Sequence, residues 1–123
     1  MKNLIILSVL VISFAACKKE KYTGSVSFWF SGMKAHNLQD GADVTTLTFY
    51  VDDEFISTVD ISDHLTSFSA PEECNGGQFL YTDKMYRKET AKHSYKIVDQ
   101  SNNVIWKGSF ETKESDCKLL VLG

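Results

Sequence analysis

Three histidines, a run of carboxylates and a few outward-reading aromatics are the residues of this chain whose types could do chemistry. His36, His64 and His93 are of the kind zinc takes, but they fall on separate predicted segments, two loops and a strand. None has metal-site spacing, so His36 and His64 read as solvated loop residues and His93 as a sheet-surface residue. Asp52, Asp53 and Glu54 stand together at a predicted hairpin tip, with Asp40 and Asp43 in another loop. Such oxygen ligands suit calcium, whose shell tolerates irregular geometry, but acidic turn residues are ordinarily just solvated, so these are weak metal candidates. Serines, histidines and carboxylates can be drawn into a triad on paper, yet there is no nucleophile elbow, Gly-rich phosphate loop, His-Glu-x-x-His or EF-hand ladder. No catalytic residue is therefore assigned, no enzyme is expected and no cofactor is implied. Trp29 and Tyr50 lie opposite the main apolar stripes of their strands. A flat aromatic on a sheet surface stacks on sugars or docks a protein, so these two are the candidate binding residues, although packing under a covering loop such as residues 32–43 is the favoured reading of both.

The start of the chain places all of this in a compartment. Lys2 precedes a largely apolar stretch of 13 residues, Leu4 to Ala16, which ends in Phe14-Ala15-Ala16-Cys17-Lys18-Lys19. A positive n-region, a short h-region and small residues before a cut are the parts of a secretory signal peptide, and the stretch is too short to span about 30 Å of hydrocarbon. Ala15-Ala16-Cys17 resembles the lipobox of bacterial lipoproteins, with Phe14 where leucine is commonest. The resemblance implies removal of residues 1–16, acylation of Cys17 on sulfur and residence on the cell envelope, the outer membrane foremost. Each buried acyl methylene contributes roughly 0.8 kcal/mol, so several chains hold a protein on a membrane without a transmembrane helix. Residues 17–24 would be the lipidated cysteine and a polar tether, and residues 25–123 the folded domain.

Removal of 16 of the 123 residues leaves 107, the size of one small domain. Loss of Lys2 leaves 12 basic side chains against 16 acidic ones, a balance that disfavours nucleic acid as a partner. With Cys17 assigned to lipid, Cys74 and Cys117 remain in an exported chain, and one disulfide is the simplest pairing. It would close a 44-residue loop, Cys74 through Cys117, for about 4 kcal/mol of stabilisation.

From Ser25 onward the apolar signal has period two and is cut at short intervals by turn residues, the mark of half-buried antiparallel strands. Val26, Phe28 and Phe30 share one face of a first strand, and residues 32–43 read as a polar loop. Leu47, Phe49 and Val51 lead into a hairpin at Asp52-Asp53. Positive φ suits aspartate less than Asn or Gly, so the loop is expected to be wider than those two residues. Residues 61–77, with Pro71, Cys74 and Gly76-Gly77, read as a crossover between sheets, with a short helical turn near residues 62–65. Residues 78–82 form a fourth strand and residues 83–92 a charged loop or amphipathic turn. Tyr95 and Ile97 match Trp106, Gly108 and Phe110 across the turn at residues 99–103, and Leu120 and Leu122 mark a last strand. Seven strands at this spacing predict an all-β fold, a single antiparallel β-sandwich.

Ser25-Val26-Ser27-Phe28-Trp29, the Phe49–Asp53 hairpin, Ser94-Tyr95-Lys96-Ile97 and Trp106-Lys107-Gly108 followed by Cys117 resemble small immunoglobulin-like or PEGA-like modules of Bacteroidota lipoproteins. Asp52-Asp53 stands where such modules carry Asp-Gly. The resemblance implies a sandwich on the envelope and no particular activity. The expected function is a non-enzymatic module on a lipid anchor that binds a protein or a glycan. The alternatives are a small inhibitor of a foreign hydrolase, presenting a rigid loop, and a structural subunit that pairs through a strand edge.

Overall fold

A computed structural model describes residues 22–85 and 90–123. The expected signal peptide, the expected lipidation site Cys17 and most of the expected tether lie outside the described residues. Strand β1 (Tyr22–Phe30) starts within the expected tether, so the fold takes in Tyr22, Thr23 and Gly24. It is followed by helix α1 (Gly32–Ala42), β2 (Thr46–Val51), β3 (Glu54–Asp60), β4 (Phe79–Met85), β5 (Thr90–Val98), β6 (Val104–Lys113) and β7 (Cys117–Leu122). The strands form a three-stranded sheet in the order β4-β1-β7 and a four-stranded sheet in the order β3-β2-β5-β6, stacked as a sandwich. Every pair is antiparallel except β1 with β7, which run parallel from Ser25 opposite Cys117 to Phe30 opposite Leu122.

Period-two burial builds the core. Val26, Phe28 and Phe30 from β1 meet Leu47, Phe49 and Val51 from β2, with Phe79, Ile97 and Phe110 between them. The Phe28 ring centroid is 4.9 Å from that of Phe49 and 5.4 Å from that of Phe110, and Phe49 stacks on Phe79 at 5.1 Å. Each side chain so buried stabilises the fold by about 2 kcal/mol. The hairpin at residues 99–103 pairs as its pattern predicts, with Tyr95 opposite Gly108 and Ile97 opposite Trp106. Asp99 anchors its turn. Burial alone would raise the Asp99 carboxyl pKa, but donation from Ser101 N, Asn103 N and Asn103 Nδ2 brings it below the ordinary value.

Three sequence-based expectations are corrected. Residues 32–42 are helical, not a loop: Ser31 Oγ accepts from Lys34 N at 3.1 Å as the N-cap, and Asp43 closes the helix with φ 54°. Only Gly32, Ala35 and Leu38 are buried along it, a stripe too thin to give an apolar period. The β2–β3 turn is the tight one, with Val51 opposite Glu54 and positive φ at both Asp52 (49°) and Asp53 (65°). The expected loop at residues 83–92 is strand at both ends, because β4 continues to Met85 and β5 starts at Thr90. Of the two readings of Trp29, core packing holds and binding does not, because the residue is only 8 % exposed. The crossover passes along this side of β1: Gly77 N donates to Ser27 Oγ at 2.9 Å, and the Gln78 side chain bonds both Phe30 N and Phe30 O.

Candidate functional site

Alternation along β5 divides its side chains between two places. His93, Tyr95 and Ile97 point inward, while Lys92, Ser94 and Lys96 point out. His93 is thus no sheet-surface residue. Its side chain is 12 % exposed, and its ring lies against Tyr81 (5.1 Å between centroids) and Phe110 (5.4 Å) at one end of the aromatic core.

Both ring nitrogens of His93 meet carboxylates: Nδ1 lies 2.6 Å from Asp52 Oδ2, and Nε2 lies 2.7 Å from Asp83 Oδ2. Asp52 sits in the β2–β3 turn and Asp83 on β4, so the imidazole bridges the two sheets. Thr112 Oγ1 donates to Asp83 at 3.0 Å, and Ser94 N donates to Asp52 Oδ1 at 2.9 Å. Two flanking acceptors can both be satisfied only by an imidazolium, which donates from each nitrogen. Burial alone would lower the His93 pKa, but the bonds to Asp52 and Asp83, together with their charges, outweigh it and hold the pKa above the ordinary value. The His93 and Ser94 bonds in turn hold the Asp52 carboxyl below its ordinary value. Tyr81 beside them is pushed up, first by burial and then by the charges of Asp83, Asp52 and Glu54.

This cluster resembles catalytic machinery in composition and departs from it in geometry. A general base needs a ring nitrogen free to take a proton from a nucleophile, with the other nitrogen oriented by a carboxylate. Here carboxylates occupy both, and the neighbouring Ser94 hydroxyl donates to Asp52 at 3.4 Å. The arrangement acts as a strut between sheets.

The outer face of the four-stranded sheet carries a different set of residues. Strand register aligns Phe55 with Tyr50, Tyr50 with Lys96, and Lys96 with Lys107, a continuous row across all four strands. Phe55 is 62 % exposed and meets Tyr50 edge-on at 6.3 Å. Lys96 Nζ lies 5.2 Å from the Tyr50 ring centroid, within cation–π range, and 3.9 Å from Asp53 Oδ1. Lys107 is exposed and pairs with no carboxylate among the described residues. An open groove of about 410 Å³ runs here, lined by Tyr50, Asp53, Ser94, Tyr95, Lys96, Lys107 and Gly108.

Of the two candidate binding aromatics, Tyr50 is therefore on the surface row and Trp29 is not. Sequence reading missed Phe55, Lys96, Lys107 and the inward position of His93. The last was signalled, because His93 shares strand parity with Tyr95 and Ile97. Asp52, Asp53 and Glu54 do not converge: Asp52 is committed to His93 and Ser94, and Asp53 reaches toward Lys96. Among the described residues no group of three or more His, Cys, Asp or Glu is placed to hold a metal ion, and His36, His64 and His93 stay apart. Cys74 and Cys117 are joined as a disulfide, with their Cα atoms 5.9 Å apart. No helix among the described residues is long and apolar enough to cross a membrane. Comparison with protein-family models, with curated proteins and with solved structures finds no match to this chain.

Proposed function

We propose that this chain is an exported lipoprotein of the cell envelope, held by acylated Cys17, whose folded domain is a non-enzymatic recognition module. The observation that carries the reading is the Phe55–Tyr50–Lys96–Lys107 row on the outer face of the four-stranded sheet, where aromatic surface and positive charge lie side by side. Aromatics and cations grouped in this way are the usual anchors of a binding surface. The carboxylates on both sides of His93 support recognition over turnover, since they leave the imidazole no nitrogen for a substrate.

Photo-crosslinking in intact cells tests the reading. A benzophenone side chain at position 55 or 107 of the full chain should yield a discrete envelope adduct, and the same group at exposed Met33 on α1 should not. Equal labelling from all three positions would reject the sheet face as the recognition surface.

A further inference from the structure

Charge is distributed unevenly over this molecule. The chain carries a formal net charge of −3, yet the groove on the four-stranded sheet is lined by two lysines, Lys96 and Lys107, and a single carboxylate, Asp53. That carboxylate stands at the turn tip with its side chain 93 % exposed and reaches Lys96 only at 3.9 Å, so it neutralises little of the positive charge. Beside the lysines lie the Tyr50 ring and the exposed Phe55 ring, and the Ser94 hydroxyl also lines the groove.

We infer that this groove binds an acidic saccharide, a sugar ring bearing a carboxylate, through the lysine pair Lys96 and Lys107 and the ring of Tyr50. The inference rests on the sheet-face reading above and names its ligand class. The C–H-rich face of a pyranose packs on the face of an aromatic ring, and a carboxylate on that sugar meets the ammonium groups beside the ring. The location argues against an acidic peptide. An extended peptide draws its affinity largely from main-chain pairing at a free sheet edge. The groove's anchors Tyr50 and Lys96 instead stand on β2 and β5, each already paired on both sides, and only Lys107 and Gly108 stand on the edge strand β6. A ligand centred over Tyr50 and Lys96 is held by side chains, which suits rings and charges.

Binding to the full chain in detergent should be measured by calorimetry with three probes: a short oligogalacturonate, its methyl ester and hexaglutamate. The oligogalacturonate should bind best, and added salt should weaken it. Lys107→Ala removes an exposed charge without touching the core and should weaken that binding about threefold to fivefold. Asp53→Asn removes the competing carboxylate and should strengthen it. Methyl ester bound as tightly as the acid, with Tyr50→Ser weakening both, would overturn the acidic class and keep the sheet face. Preference for hexaglutamate would overturn the saccharide in favour of an acidic protein partner. Oligogalacturonate binding unchanged in Lys107→Ala and Asp53→Asn would overturn both the class and the face. Failure of all three probes to bind would overturn the saccharide, leaving the face to be judged by crosslinking from position 55.

Discussion

His93 Nε2 lies 2.7 Å from Asp83 Oδ2, and this contact joins the four-stranded sheet to the edge strand of the three-stranded one. Sandwich sheets are held mainly by non-directional apolar contact, and a charged bond between them adds a fixed register that apolar packing alone lacks. The same imidazole fixes the β2–β3 turn through Asp52, so one side chain ties a turn, a central strand and the opposite sheet together.

Stability should accordingly depend on pH in a definite direction. His93 has its pKa raised in the folded state, so its contribution is complete below its unfolded value and is lost as pH rises through the folded one. Asp52 has its pKa lowered, so its contribution is present above its unfolded value and is lost as pH falls through the folded one. The strut is therefore strongest between about pH 4 and pH 6.5. Urea unfolding should show the wild type losing stability from pH 6 to pH 9 and His93→Gln largely lacking that slope. At pH 5.5 the variant should be less stable by about 2 kcal/mol, because Asp83 is left without its charged partner. Parallel pH profiles for the two proteins would refute the strut.

The turn beside it gives opposite expectations for two adjacent aspartates. Both have positive φ, a conformation that costs a residue with a Cβ about 1 kcal/mol and glycine nothing comparable. Asp53 makes only a surface ion pair, so Asp53→Gly should stabilise by about 0.5–1 kcal/mol. Asp52 offsets its conformational cost with bonds from His93 and Ser94 N, so Asp52→Gly should destabilise despite relieving the backbone. Thermal melts of the two variants moving the same way would contradict this division of roles.

What the sequence made legible is what alternation and turn chemistry encode. Val26, Phe28 and Phe30, and Leu47, Phe49 and Val51, show their inward face directly, and the turn at residues 99–103 sets the Tyr95–Gly108 and Ile97–Trp106 pairs. Helix α1 was hidden because its buried stripe is two glycine-or-alanine positions and Leu38, and its boundaries rest on the caps Ser31 and Asp43. Packing of Trp29 was the favoured reading, but not its cover: the chain on that side of β1 comes from about fifty residues downstream, beyond any local period, and not from residues 32–43. The surface row was hidden for a related reason. Tyr50 meets Lys96 only because β2 lies next to β5, and that adjacency of strands distant in the chain has no short-range signature.

The proposed export and lipid anchoring are tested at Cys17. Intact mass of protein extracted from membranes should show loss of residues 1–16 and addition of acyl chains. Cys17→Ser should abolish both and release the protein from the membrane fraction. Recovery of the wild type with a free, alkylatable Cys17 thiol would remove the lipid anchor.

The disulfide should matter most for the last strand. Strand β7 is the last described element and a sheet edge, paired among the described residues on one side only, in parallel, with β1. Its first residue, Cys117, is bonded to Cys74 in the crossover, which itself rests on β1 through Gly77. The covalent link thus restrains the end of β7 that backbone pairing holds on one flank alone. The chain-entropy account gives about 4 kcal/mol for a loop of this size, and removal of such a bond typically costs 2–5 kcal/mol. Cys74→Ala/Cys117→Ala should lower stability to urea by that order. Its amide hydrogens at Leu119 to Leu122 should exchange much faster than those of β2 and β5, which apolar contacts on the inner faces continue to hold. Uniform acceleration of exchange across all strands would instead mean that the bond restrains the whole domain and not its terminal strand.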